Sequence, residues 1–288
     1  MNEVEHVLSL GNLLGEGPLW HPGEQALYWV DIESSQIFRY DSRKRRHEKV
    51  QMDIAVGALA FRESGGLVLA TAKGYAYWDM QDRQLEFIAD PEAEKPESRF
   101  NDGKVDRRGR FWAGTMTLEG ATSALYRLDA DASVQRMESG ITIANGLGWS
   151  PDDKIMYFTD TMIHTIYAYD FDLESGSISN RRVFVHDPDV PGLPDGLCVD
   201  SEGYVWSARI LDWRIVRFDP DGAVEREIRL PVKNPTSCAF GGENLDELYV
   251  TTAAIGLTDE EARQQPLAGD LFRIHTGIKG QVEPGFAG

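Results

Sequence analysis

The sequence predicts an all-β chain, residues 1–288, folded as a single six-bladed β-propeller domain. Three observations predict it. A strand–turn–strand pattern occurs six times, a short element usually marked by glycine precedes each copy, and long amphipathic helical stretches are missing between them. A period of roughly 40–50 residues holding three or four short strands is the signature of propeller blades, whereas a parallel α/β fold needs a helix between strands.

The first copy runs from Leu27-Tyr28-Trp29-Val30-Asp31 to Phe38-Arg39-Tyr40-Asp41, and the later ones begin at Leu67, Phe111, Met156, Val205 and Leu248. Each is an alternating, aromatic and β-branched strand followed by a polar turn and a second strand. The preceding elements start at Glu16-Gly17, Val56-Gly57, Asp102-Gly103, Asn145-Gly146, Asp195-Gly196 and the degenerate Thr236-Ser237. Turn-forming stretches such as Ser150-Pro151-Asp152-Asp153 and Asp219-Pro220-Asp221-Gly222 separate the strands. One helix is expected, a short insertion in the last blade at residues 258–265, where Thr258 and Glu261 have capping-box spacing. Residues Val4–Leu10 are expected to supply a strand that closes the ring with that blade and removes exposed edges.

Composition narrows the function. Lysine and arginine total 29 against 47 aspartates and glutamates, a net charge of −18. Such a surface repels phosphate backbones and anionic lipid, so neither nucleic acid nor a membrane is an expected partner. The first residues, Met1 to His6, lack the apolar core of a secretory signal, and no apolar run approaches the ~18 residues of a membrane span. Cys198 and Cys238 make neither a disulfide framework nor a zinc-ligand spacing; they read as buried, reduced thiols of a cytoplasmic protein. The six histidines show no paired spacing, which argues against a histidine-rich zinc site. Serine-nucleophile, phosphate-loop and dinucleotide motifs are absent.

In a propeller the innermost strands run along one axis, so residues at equivalent ends converge. The sequence register puts Glu16, Val56, Asp102, Asn145, Asp195 and Thr236 at those ends. Asp or Asn before Gly is a common turn dipeptide, and recurrence at equivalent blade positions is what selects a functional reading. Three carboxylates and an amide arriving together repel one another unless a cation sits among them, and oxygen donors suit calcium, magnesium or manganese. The glycine after each is expected to let the backbone turn tightly.

At these residues the sequence resembles the family of gluconolactonases, regucalcin (senescence marker protein) and bacterial sugar lactonases. The stretches that carry the likeness are Leu14-Gly15-Glu16-Gly17-Pro18, Arg99-Phe100-Asn101-Asp102-Gly103-Lys104, Trp112-Ala113-Gly114-Thr115-Met116, Asn145-Gly146-Leu147 and Pro194-Asp195-Gly196-Leu197. They occur in family order, over about residues 10 to 275. The resemblance implies one catalytic divalent metal on Glu16, Asn145 and Asp195: calcium first, with manganese, zinc or iron compatible. It implies Arg99, Asn101 and Glu119 as substrate-binding residues, and Asp102 as a group behind the ligands. The implied reaction is hydrolysis of a sugar lactone to its aldonic acid. Asp195 acts as general base, or the metal itself activates the water. A calcium-binding protein without catalysis, a promiscuous esterase or phosphotriesterase, and an interaction scaffold are the rival readings. Which sugar, and which oligomeric state, the sequence leaves open.

Overall fold

The computed structural model describes residues 4–80, 82–118 and 120–288. Among these, twenty-four strands form six four-stranded antiparallel sheets. Their innermost strands, Gly15–His21, Val56–Phe61, Arg99–Val105, Ala144–Trp149, Leu193–Val199 and Pro235–Gly241, pack each against the next, and the last returns to the first. The result is a six-bladed propeller, as the repeat count predicts. Blades 1 to 5 are simple meanders. In blade 6 the outermost strand is Val4–Leu8, paired with Leu271–His275, so the first and the last strand share one sheet.

Burial follows position in the blade. Second strands such as Ala26–Asp31 and Leu67–Thr71 are buried at every residue because a neighbouring blade covers each face. Outer strands such as Arg46–Gln51 face solvent, and their sequence is accordingly polar. In blades 3 and 5 a buried aspartate ties the blade together. Asp106 accepts from Trp112 Nε1 at 2.8 Å and Arg110 Nε at 2.6 Å; Asp200 accepts from Trp206 Nε1 at 2.9 Å and Arg217 Nη2 at 2.7 Å. Each bond satisfies an indole N–H that burial would otherwise strand. The expected helix is present as Asp259–Gln264, with Thr258 and Glu261 forming the capping box.

All six innermost strands carry a bulge near their first residues, where one extra residue is inserted against the partner strand. The ladders correct the sequence register in two blades. Val56 pairs with Thr71 and Phe100 with Thr115, just as Ala144 pairs with Asp160 and Pro194 with Arg209. The residues equivalent to Glu16, Asn145, Asp195 and Thr236 are therefore Gly57 and Asn101, not Val56 and Asp102. A one-residue error arose because the Asp-Gly pair imitates the Asn-Gly and Asp-Gly pairs of the other blades.

The glycines also act differently from expectation. Gly146 does hold a left-handed backbone, with φ of +23°. Gly196 does not; there a Cβ would lie 2.1 Å from Ser237 Oγ of the next blade, so the residue is small to let two strands approach at the axis.

The last residues cross the face opposite the bulges. Gly280 N donates to Leu245 O at 2.7 Å, Gln281 Nε2 to Trp149 O at 3.2 Å, Ala287 N to Gly109 O at 2.9 Å, and Phe286 N to Phe61 O at 2.7 Å. Blades 6, 4, 3 and 2 are thus strapped across the channel mouth, with the Phe286 ring fully buried. Phe286→Ala should cost about 3–5 kcal/mol of stability, the usual range for emptying a buried aromatic site. Urea unfolding of the full chain measures it; a loss under about 1 kcal/mol would mean the strap is not part of the core.

Candidate functional site

The bulged ends of the innermost strands open into a cavity of about 590 Å³, whose lining includes Glu16, Arg99, Asn101, Asn145 and Asp195. Glu16 is 5% exposed, Asn101 7%, Asn145 4% and Asp195 4%. Far apart along the chain, they meet because each occupies the bulge of its own blade.

Asn101 and Asn145 form the amide side of the site. Asn101 Nδ2 donates to Asn145 Oδ1 at 3.2 Å and to Ala144 O at 3.0 Å, while Arg99 Nη1 donates to Asn101 Oδ1 at 2.8 Å. Asn145 Nδ2 in turn donates to Thr161 Oγ1 at 3.0 Å. This chain fixes both amide planes. Thr161 is a supporting residue that sequence reading missed, since a threonine in a turn carries no distinguishing signal. Arg99 also meets Glu33 at 3.8 Å on the rim, another contact no motif announces. Burial lowers the Arg99 pKa, opposed by Glu33 and Glu16, but a guanidinium stays charged in any such setting.

The carboxyl side is electrostatically uncomfortable. Burial, then repulsion from Asp195 and Asp102, pushes the Glu16 carboxyl well above the ordinary carboxylate range. Burial and Asp102 do the same to Asp195, which shares a hydrogen bond with Glu16. Among the described residues neither has an arginine, lysine or histidine within ion-pairing distance, and Asp195 Oδ1 is a buried oxygen with no hydrogen-bond partner. An orphaned buried carboxyl oxygen is costly unless a donor or a cation reaches it.

Asp102 lies one residue deeper. Burial raises its pKa, while Lys104 and the N–H groups of Gly103 and Gly146 act in the opposite direction. Gly103 N donates to Asp102 Oδ1 at 2.7 Å. Below it, Lys104 Nζ reaches Leu197 O at 3.2 Å and Glu283 of the strap at 3.3 Å. A carboxylate with its own lysine differs from the pair above, which has none.

The donor set is all oxygen: two carboxylates, Glu16 and Asp195, with the Asn145 amide. Among the described residues no group of three or more His, Cys, Asp or Glu has metal-site spacing, so any metal here depends on the amide as third donor. Glu119 lies outside the described residues. Cys198 and Cys238 are free and buried, with sulfurs 3.7 Å apart on adjacent innermost strands. No helix among the described residues is long and apolar enough to cross a membrane.

Comparison with known proteins agrees with this architecture. Residues 14–254 match the family described as the SMP-30/Gluconolactonase/LRE-like region. Regucalcin of Homo sapiens is 38% identical over 295 residues, covering 99% of each chain, and that of Xenopus laevis is 36% identical with the same coverage. A luciferin-regenerating enzyme superposes with a TM-score of 0.93 at 33% identity over the whole of both chains. A calcium-binding protein, regucalcin from Agrobacterium tumefaciens, gives 0.94 at 27% identity over 98% of this chain and 96% of its own. A gluconolactonase from Xanthomonas campestris, 24% identical with a TM-score of 0.78 over 95% of this chain and 89% of its own, shares the fold. The chain belongs to the SMP-30/gluconolactonase/LRE-like family.

Proposed function

We propose that this protein is a metal-dependent lactonase that opens a lactone ring by hydrolysis. The observation that carries this reading is the buried pair Glu16 and Asp195, with no cation among the described residues in ion-pairing distance and with Asp195 Oδ1 unpartnered, beside the fixed amide of Asn145. Oxygen donors of this kind fit a hard divalent ion, calcium first. The calcium-binding description of the Agrobacterium relative supports the same choice. When bound by Glu16, Asn145 and Asp195, the ion supplies Lewis-acid polarisation of the lactone carbonyl and charge for the developing oxyanion.

The chain's own residues do the rest. Asp195 takes a proton from the attacking water. Water oxygen bonds to the carbonyl carbon, the ring C–O bond breaks, and the proton returns to the departing alkoxide to leave a hydroxy acid. Arg99 and Asn101 donate to substrate oxygens, and their mutual hydrogen bond holds both in place before substrate arrives. Glu119 is assigned to the same substrate-binding group on the family resemblance. Asp102 stands behind the site, held by Gly103 and Lys104, and keeps the floor negative.

Two measurements test the reading. Saturating calcium at a hundredfold excess over its Kd should raise the wild-type Tm by about 5 °C and leave Glu16→Gln unmoved; an equal rise in both would remove Glu16 from the ligand set. A panel of five- and six-membered lactones, assayed for acid release with and without chelator, should show metal-dependent turnover. Asp195→Ala should lower kcat at least about a thousandfold, and Arg99→Ala should act mainly by raising KM roughly tenfold. No metal-dependent rate on any lactone would leave a calcium-binding protein without this activity.

A further inference from the structure

We propose that the substrate carries an apolar substituent, alkyl or aryl, beyond the carbonyl group, and that a collar of apolar side chains around the cavity mouth holds it. The inference rests on the lactonase reading and names the substrate class for that same site. The buried carboxyl and amide groups Glu16, Asp195, Asn101 and Asn145 lie on the floor of the cavity, while Glu33 and Glu97 are exposed at its rim. Its walls are Leu14, Met116, Ile143, Leu193 and Ile210, from blades 1, 3, 4 and 5. At the mouth stand Leu118, Met162 and Ile255, exposed to 89%, 53% and 41%. Leu13 and Leu211 on loops and Ile163 at the end of the short 3-10 helix Thr161–Ile163 are also exposed on the same face. One exposed apolar side chain needs no explanation, but a set gathered round one mouth marks a binding surface.

Several of the polar groups higher in the cavity are already engaged, Glu97 at the rim being the exception. Ser98 Oγ donates to Glu92, Thr117 Oγ1 meets Thr122 Oγ1 at 2.9 Å, Thr161 receives Asn145, and Glu33 meets Arg99. Among the described residues the carboxylates left there for the outer hydroxyls of a sugar are the exposed Glu33 and Glu97 of the rim, and a hydroxyl pressed against leucine and isoleucine loses its water without replacement. An alkyl or aryl group loses nothing by the same move and releases water from both surfaces. The cavity, at about 590 Å³, falls within the range that holds a drug-sized ligand.

The test uses the metal-loaded full chain and lactones of one ring size, bearing either ring hydroxyls or linear alkyl chains of increasing length. The expected result is a rise in kcat/KM of about fourfold per methylene over the first carbons, then a plateau. The ratio of alkyl to unsubstituted rates should fall roughly tenfold in Met162→Ser and in Ile255→Ser. A flat series, or a preference for the hydroxylated lactones, overturns the proposal. If no lactone is opened, the lactonase reading fails by itself. Calorimetric binding of the matching alkyl hydroxy acids then decides the collar: affinity rising with chain length upholds it, and constant affinity overturns it. Serine variants that change the sedimentation of the protein without moving the ratio would make the collar a contact between copies, which also overturns it.

Discussion

Two buried carboxylates held together with no described cation in ion-pairing distance are the constraint around which this molecule is arranged. Glu16 and Asp195 come from blades 1 and 5 and meet only because both innermost strands bulge at the same height on the axis. A regular strand at either place would send the side chain along the alternating pattern, into the space between blades. The bulge breaks that alternation once per blade, and the broken position is where the polar residues are found. Fold and site are thus one geometric decision. The ring brings the strand ends together, and the bulge turns their side chains toward one another.

That decision is expensive, and the surroundings show how the cost is contained. Asp102 would add a third uncompensated charge, but Lys104 and two backbone N–H groups answer it. Lys104 in turn meets Glu283, which the C-terminal strap brings to the channel. Below the acidic floor and Asp102 the sign changes at Lys104 and again at Glu283. The unbalanced negative charge is left only at the end that opens into the large cavity. A cation arriving there completes a sequence of signs that the protein has otherwise satisfied internally.

Much of this was legible in the chain. Blade count, ring closure by residues near Val4–Leu8 and the capped helix at Thr258 all follow from periodicity and local chemistry, which act over a few residues. What failed needed distances between blades. Asp102 looked like the blade 3 counterpart of Asn145 because both precede glycine, yet the bulge begins one residue earlier and gives that place to Asn101. Gly196 looked like a turn residue and proves to be a clearance between strands. The strap gave no periodic signal, since a segment held mainly by backbone hydrogen bonds and one phenylalanine has no pattern to repeat. The apolar collar was equally hidden. Leu118, Met162 and Ile255 are isolated in sequence, and only the loop positions unite them.

Collar and floor are linked through water. With the opposite mouth crossed by the strap, substrate and solvent reach the carboxylates through the open end, past the apolar walls. A group filling the collar would exclude solvent from the space above Glu16, Asp195 and Asn145. Interactions at the floor then act in a medium of lower effective dielectric and strengthen accordingly. A polar ring with no apolar extension would leave that space open to solvent and forgo the gain. On the proposed reading, the side chains that would select an alkyl or aryl group would also set the electrostatic strength of the site beneath them, coupling substrate choice to carbonyl polarisation through the shape of one cavity.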